Sequence, residues 1–348
     1  MRRGALLPTL LAAFAAAIVA VSAPAATDAT GTARAEATSL TIYSGREERL
    51  VKPLFDRFTK ETGIALNVRY GSSSEMAATI LEEGRNGRAD VFFAQEAGLL
   101  GFVAREGLLK VLPAATLNRV PSRFRAPGKR WVGTSGRARV IAFNTNSLTK
   151  AQLPKSIWEL TSAKWKGKIG LPPTNASFQA FVAVMRILHG ENRTRDWLLG
   201  VKANDVRFYG NNTQVVQAVG SGEIQVGLVN HYYLHNIRVQ TPNIPVENHF
   251  LGQGDPGALV NSAGVGIVSS TSKTAAAQRF VNFLLSPWAQ RFIARGPGAA
   301  EYPLIRGVRP RPGLPQLGLI KGPNVNLGRL GRDLPPAIRL LNEVGYTR

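Results

Sequence analysis

Two adjacent tyrosines, Tyr232 and Tyr233, have the most distinctive chemistry in this 348-residue sequence. They follow an apolar run at 224–229 that predicts a buried strand, and they open a segment with helical spacing through Ile237. Ligands of open α/β sheets bind at the carboxyl ends of strands, so we expect both phenols to face a cleft. A phenol, with a pKa of about 10, binds metal well only when a strongly charged cation displaces its proton, and the hard phenolate oxygen then suits Fe³⁺. Simple packing, or stacking on an organic ligand, would use the same two rings equally well.

Short polar segments precede two further predicted helices in the same half of the chain. One follows a predicted strand at 169–171 and leads into a helix from Phe178, and the other precedes a helix over 213–219. Small polar residues at a helix N-terminus form a cradle for an anion, and they also serve as ordinary N-caps. Because each segment lies at a strand end, we expect the two to converge with the tyrosines. The residues concerned are Asn175, Ala176, Ser177 and Asn212.

Carboxylates and amides also follow two predicted strands in the first half of the chain. Glu47 comes after the strand predicted at 40–43, and Gln95 and Glu96 come after the strand predicted at 89–93. An acidic residue in this position complements the positive end of a helix dipole. It would also supply a carboxylate ligand from the first half of the molecule.

Two histidines, His231 and His235, have the i, i+4 spacing of zinc-binding helices. No Glu follows the first of them to act as a general base, so the H-E-x-x-H motif is absent from the sequence. Solvated or capping histidines are the simpler interpretation. A secreted zinc hydrolase using this pair stays open as an alternative of a different functional class.

The length and composition constrain the elements that must position these residues. Apolar residues make up 44% of a chain too long for one compact core, and strands alternate with amphipathic helices, which predicts two α/β lobes. With 43 Lys and Arg against 22 Asp and Glu, the net charge is +21, yet the basic residues are spread and no nucleic-acid-binding motif is present. We therefore expect a basic surface that favours anions in a cleft, with no nucleic-acid partner. The absence of cysteine excludes disulfides and thiolate metal sites.

The first residues have the pattern of a secretory signal. Arg2 and Arg3 precede an apolar run at 10–21, and A-x-A patterns follow at 23–25 and 33–35. The apolar run is too short for a membrane span, and no later stretch approaches the required length. We therefore expect cleavage at about 25–35 and a free periplasmic protein.

The connections between the halves also have sequence signals. A strand is predicted at 137–144 as a long connection, and the Gly- and Pro-rich stretch at 307–331 predicts extended loop. A last helix is expected over 334–344, begun by Pro335 and Pro336, because Pro suits the first turn of a helix.

Seven short motifs span nearly the whole mature chain. They are I-Y-S-G-R at 42–46, A-D-V-F-F at 89–93, S-G-R-A-R-V at 135–140, W-K-G-K-I-G at 165–170, N-H-Y-Y-L-H at 230–235, D-P-G-A-L-V at 255–260 and E-Y-P-L at 301–304. Together they resemble the motifs of the periplasmic ferric-iron-binding proteins of ABC importers. The tyrosine pair is the specific element, whereas the other motifs are shared more loosely with related solute-binding proteins.

This resemblance implies the two-lobed periplasmic-binding-protein (type II) fold, an α/β architecture with an interlobe cleft and a two-strand hinge. After a signal peptide at 1–35, the N-terminal lobe would comprise 36–138 and about 264–310, and the C-terminal lobe 139–263 and about 311–348. The resemblance also implies a non-enzymatic monomer in the periplasm that delivers ferric ion to an inner-membrane ABC permease.

The resemblance implies a site as well. Tyr232 and Tyr233 would bind Fe³⁺ as phenolates, and Glu47 is the candidate ligand from the first lobe, in a motif where some members have His. Some members carry Glu where this chain has Gln95 and a third tyrosine where it has Phe178. The site therefore either includes Glu47 or consists of two tyrosines completed by an anion and water.

A synergistic anion, phosphate or carbonate, often completes the coordination in this family. The residues that match its contacts are Asn175, Ala176, Ser177, Asn212, Asn230 and Arg137. Those expected behind the ligands are Gln95, Glu96 and Arg46. Because the family His is missing, the same fold binding another solute, such as a phosphonate, a small anion or an iron chelate, also stays open.

Overall fold

A computed structural model describes residues 39–252 and 254–347. The predicted signal peptide at 1–35 lies outside these residues. Among the helices of the described part, none combines the length and the apolar character needed to span a bilayer.

Nine strands lie within the described residues and pair in one mixed sheet. The strands are β1 (Ser39–Ser44), β2 (Ala65–Tyr70), β3 (Val91–Ala94), β4 (Val132–Asn144), β5 (Ile169–Leu171), β6 (Arg207–Phe208), β7 (Val226–Asn230), β8 (Val246–His249) and β9 (Val260–Ile267). Their order is β2-β1-β3-β9-β4-β7-β5-β6, and β8 pairs with β4 beside this path.

Strand β4 belongs to two sheet segments, because its partners change along its length. Its first half, from Val132 to Ala138, pairs antiparallel with β9, and its second half, from Arg139, pairs antiparallel with β7 and β8. In the first segment β1 runs parallel to β2 and β3; in the second, β5 runs parallel to β6 and β7. The strand is buried throughout and begins earlier than the 137–144 predicted for it. The lobe boundaries drawn from the resemblance stay predictions.

Eleven α-helices in the described residues cover the two sheet segments. They are α1 (Glu48–Thr62), α2 (Ser73–Glu83), α3 (Ala97–Arg105), α4 (Ala114–Leu117), α5 (Ala176–His189), α6 (Glu191–Ala203), α7 (Asn212–Ser221), α8 (Tyr232–Arg238), α9 (Thr274–Leu284), α10 (Pro287–Arg295) and α11 (Leu330–Glu343).

The last helix, α11, begins at Leu330, so the predicted start at the proline pair is wrong. Pro335 and Pro336 lie inside the helix. Its apolar stripe packs against both α3 and α5, and this burial compensates for the backbone hydrogen bonds that the prolines cannot make. The carbonyl of Gly331, four residues before Pro335, accepts a hydrogen bond from Arg105 instead.

Helices α3 and α11 approach each other closely where two glycines meet. A Cβ added to Gly331 would lie 2.3 Å from the carbonyl carbon of Gly101. No side chain fits there, so the two backbones are in direct contact.

Candidate metal centre

The tyrosine pair lies at the junction of β7 and α8, as its sequence context predicts. Tyr232 and Tyr233 are the first two residues of α8, and both are buried. His231 immediately before them is also buried and holds the start of the helix in place. Its Nε2 lies 2.7 Å from the carbonyl oxygen of Ala300, and the backbone N–H of Ala138 donates to Nδ1 at 3.2 Å.

The two phenol rings stack on each other, and their hydroxyls meet at one amide. The ring centroids lie 4.3 Å apart, with an interplanar angle of 27°. Gln95, directly after β3, donates from Nε2 to the hydroxyl of Tyr233 at 2.9 Å and to that of Tyr232 at 3.2 Å. A side chain from the first sheet segment therefore contacts both phenols of the second.

Ser73 positions this glutamine. The hydroxyl of Ser73 accepts a hydrogen bond from the backbone N–H of Gln95 at 2.8 Å and donates to the carbonyl of Gly45. A Cβ on Gly45 would lie 1.9 Å from the Ser73 hydroxyl oxygen, so only glycine permits this approach. The turns after β1 and β3 are joined at this point.

A cavity of about 260 Å³ opens beside the phenols. It is polar, and both sheet segments contribute to it. The predicted site residues that line it are Arg46, Glu47, Gln95, Asn175, Tyr232 and Tyr233.

Glu47 lies at the rim of this cavity, directly before α1. Its side chain is 44% exposed and accepts a hydrogen bond from Arg49 at 3.1 Å. The carboxylate is thus accessible to a ligand and only loosely held in an exposed ion pair.

Burial and neighbouring negative charge keep the phenol of Tyr233 protonated. Its pKa is raised well above the ordinary value, first by burial and then by Tyr232 and Glu47, while Arg137 acts in the opposite direction. Ionisation therefore requires a strong positive charge to replace the proton.

A buried ion pair lies behind the tyrosines. Arg46 pairs with Glu301, and the hydroxyl of Ser135 donates to the same carboxylate. Burial acts to raise the pKa of Glu301, but Arg46, Arg137 and Ser135 outweigh it and the pKa ends below its usual value. This network places a fixed cation, Arg46, against the cavity wall.

Three of the predicted anion contacts carry buried polar atoms without hydrogen-bond partners. All three guanidinium nitrogens of Arg137 are unpartnered, although the residue is fully buried. Both side-chain polar atoms of Asn212 and the side-chain amide nitrogen of Asn230 are also buried without a hydrogen-bond partner. Buried polar groups are normally paired, so these atoms have the capacity to bind a polar ligand. None of the three residues lines the 260 Å³ cavity itself.

The remaining predicted anion contacts are engaged within the protein. Asn175 caps α5 by accepting from the N–H and the hydroxyl of Ser177. Ser177 in turn accepts from the buried Arg139, whose pKa burial and Arg137 lower to about 9. Helix α5 begins at Ala176, two residues before the predicted start at Phe178, because Asn175 supplies the cap.

Glu96 does not line the cavity. It is fully buried and caps α3, accepting from the N–H groups of Gly98 and Leu99. Burial raises its pKa to about 7 against these two hydrogen bonds. Its observed contacts are therefore those of a helix cap.

The histidine pair does not form a zinc site. His231 uses both ring nitrogens on backbone groups, as described above, and burial lowers its pKa to about 4. Among the described residues, no cluster of three or more His, Asp or Glu side chains is arranged to hold a metal ion. The zinc-hydrolase alternative loses its structural basis.

Three partners of the site were not anticipated from the sequence. Ser135, Arg139 and Glu301 lie in motifs that carry the family resemblance, but their spacing along the chain gave no sign of which residues they contact. The apolar stretches that surround them were the only local signal, since a charged residue there requires a buried partner.

Comparisons with known proteins identify the family to which the chain is related. The family model described as bacterial extracellular solute-binding protein matches residues 86–311. The Fe(3+)-binding periplasmic protein of Serratia marcescens is 33% identical over 308 residues, covering 88% of this chain and 90% of that protein.

Two solved structures have the same fold. Iron-bound HitA from Pseudomonas aeruginosa aligns with a TM-score of 0.84 and 32% identity, covering 88% of this chain and 99% of that one. A Trichodesmium protein (IdiA, FutA) in complex with iron and citrate aligns with a TM-score of 0.75 and 32% identity, covering 89% of this chain and all of that one.

Proposed function

Because the chain belongs to the family of bacterial extracellular solute-binding proteins, we propose that it binds ferric ion beside Tyr232 and Tyr233 and delivers it to an ABC importer. The observation that carries this proposal is the meeting of two buried phenols in a polar cavity. Relatives named for ferric iron binding support it. We also propose a periplasmic location after removal of the signal peptide, and no catalytic role.

Binding begins with loss of two phenolic protons. Fe³⁺ displaces them because its charge outweighs the burial that otherwise keeps the phenols neutral. In the structure Gln95 donates to both hydroxyls. When the ion enters, this amide either continues to donate to the phenolate oxygens or rotates away from them. Proton release makes affinity fall as the pH drops.

Charge balance supports Glu47 as a further ligand. Two phenolates supply two negative charges against the three of Fe³⁺, and the Glu47 carboxylate at the cavity rim supplies the third. Its accessible oxygen is a harder donor than the imidazole of the family motif.

An anion completes the coordination. The unpartnered guanidinium of Arg137, with Asn212 and Asn230, supports phosphate or carbonate at this position. Citrate is a third candidate, since the Trichodesmium relative was solved with iron and citrate. Asn175, Ala176 and Ser177 would contribute through the N-terminal end of α5.

The proposal is tested by titrating iron-stripped protein with ferric citrate and recording the visible spectrum. A tyrosinate–Fe³⁺ charge-transfer band that saturates near one equivalent is expected. Tyr232→Phe and Tyr233→Phe should each remove most of the band and lower affinity by roughly 100-fold, since each deletes an anionic ligand. Tyr209→Phe, at a partly exposed tyrosine bonded to Glu223, is the matched control. Unchanged affinity in both site variants would refute the proposal.

A second candidate function is anion or phosphonate binding without iron. The same unpartnered atoms of Arg137, Asn212 and Asn230 favour it. A thermal-shift panel of phosphate, carbonate, citrate and an alkylphosphonate, with and without ferric ion, separates the two. Stabilisation by an anion alone, with no band on adding iron, would favour this second function.

A further inference from the structure

One stretch near the end of the chain is almost free of acidic residues. Between positions 256 and 332 the sequence contains ten Lys or Arg residues and one acidic residue, Glu301. That carboxylate is buried and paired with Arg46, so it neutralises nothing at the surface.

Five arginines of this region, together with Arg238 at the end of α8, are carried by three segments that meet at the turn 296–299. We call them the arginine face: Arg238, Arg291, Arg295, Arg306, Arg309 and Arg311. None of the six forms an ion pair with a carboxylate of the described residues.

Backbone contacts hold this face together. Arg295, at the end of α10, donates to the carbonyl of Arg309 at 3.2 Å, and Arg311 donates to the carbonyls of Ala299 and Gly296. The turn at Gly298 packs against the end of α8, which carries Arg238. The arginines are therefore fixed on α8, on α10 and on the extended segment after α10.

A surface of this kind has a strong positive potential that an anionic partner would neutralise.

The composition of the face indicates phosphate groups. All six cations are arginine, whose planar guanidinium binds phosphate through two parallel hydrogen bonds. On α10, which also carries Arg291 and Arg295, the half-buried rings of Trp288 and Phe292 stack at 5.6 Å, and the guanidinium of Arg57 lies over Trp288. Aromatic rings next to cations are typical of surfaces that contact the headgroup region of a bilayer.

We propose that the arginine face binds the phosphates of an anionic phospholipid surface and holds the protein against the membrane. The proposal rests on the proposed function only for its purpose, since delivery to a membrane permease would benefit from such retention. The binding itself requires no iron.

The test is co-sedimentation of the full mature protein with vesicles of phosphatidylethanolamine and phosphatidylglycerol, compared with phosphatidylcholine vesicles. Binding only to the anionic vesicles, and its loss when salt screens the charges, is expected. The triple variant Arg291→Gln, Arg306→Gln, Arg309→Gln removes exposed charges and should weaken binding by about tenfold or more.

The matched control is the triple variant Lys60→Gln, Arg85→Gln, Arg88→Gln, which removes the same charge from exposed positions of the first sheet segment. It should bind anionic vesicles within about twofold of the parent, which would assign binding to the face rather than to net charge. Equal weakening in both variants, or binding to poly-glutamate but not to vesicles, would overturn the proposal. The iron charge-transfer band is recorded for every variant, so a failure of iron binding is recognised separately.

Discussion

Gln95 touches both phenols of the proposed ferric site with a neutral amide. A carboxylate at the same atom positions would be a ligand, whereas the amide is a hydrogen-bond donor. Under the proposed function, Gln at this position lowers the negative charge of the cavity and favours release of a trivalent ion.

Gln95→Glu should therefore tighten ferric binding at pH 7 by about tenfold or more, because a hard anionic oxygen is added to the site. The change in iron retention is measured by adding excess citrate and recording the loss of the charge-transfer band as iron is transferred. Gln95→Leu removes the amide without adding charge and serves as the control. Equal transfer rates in Gln95→Glu and the parent would contradict this assignment.

Arg137 is the second residue whose chemistry is unusual. Its guanidinium is buried without a hydrogen-bond partner, although an isolated buried charge is costly.

Arg137→Gln should make iron binding insensitive to added phosphate or carbonate, because the cation that holds the anion is lost. Titrations in anion-free buffer and in buffer with phosphate measure this effect. Arg137→Lys, which keeps the charge, should retain the anion dependence; if it does not, charge is not what holds the anion.

For single residues, type and spacing correctly predicted that the two tyrosines lie where a strand ends and a helix begins, since their adjacency and the preceding apolar run are visible in the sequence. The bridge from Gln95 to both hydroxyls was not predictable, because it depends on how two sheet segments face each other. The pairing of Arg46 with Glu301 joins residues 255 positions apart and has no local signal.

Helices α3 and α11 show how an element outside the site supports it. Helix α3 begins two residues after Gln95, with Glu96 between them as its N-cap, so the position of the helix determines where the amide lies. The contact of Gly101 with Gly331 fixes α3 against α11.

Gly331→Ala should lower the free energy of unfolding by roughly 1–3 kcal/mol, because the new methyl group overlaps the backbone of Gly101. Gly318→Ala, where an added Cβ meets nothing within 4 Å, should have little effect. Urea unfolding of the two variants measures this difference. Equal urea midpoints for Gly331→Ala and Gly318→Ala would show that α3 and α11 move apart at little cost in free energy.

The elements themselves were partly predictable. Elements with clear apolar patterns, such as α7 and β7, were predicted close to their observed bounds. Helices α3 and α10 and strand β8 were not predicted, although α10 has a strongly amphipathic pattern. The start of α11 was misplaced because tertiary packing outweighs the local preference of proline.

For the molecule as a whole, His231 joins regions distant in sequence. Its ring contacts Ala138 on β4 and Ala300 after α10, and burial keeps it neutral with a pKa of about 4.

This predicts acid sensitivity of the iron-free protein. The unfolded chain binds a proton at His231 below about pH 6.5, whereas the folded chain resists protonation to about pH 4, so up to about 3 kcal/mol of stability is lost as the pH falls between these values. Urea unfolding at pH 7.5 and 4.5 measures the loss, and His231→Gln should reduce it, with His235 supplying part of the remainder. If His231→Gln left the loss of unfolding free energy between pH 7.5 and 4.5 unchanged, the prediction would be contradicted.

The fold class agrees with the α/β, two-lobed architecture expected from the resemblance, as the structural neighbours also indicate. Length and alternation predicted the class, but the pairing order of the strands was not available from them.

The pairing order of the strands has a consequence for how the chain folds during its synthesis. Strand β3 pairs with β1 on one side and with β9 on the other, yet strands β4 to β8 are all synthesised between β3 and β9. During synthesis, strand β3 therefore has one unpaired edge until β9 has been made. Pairing of two strands across so long a loop is slow. The nascent polypeptide should remain unfolded until late in translation, a period in which holdase chaperones would find it an accessible client.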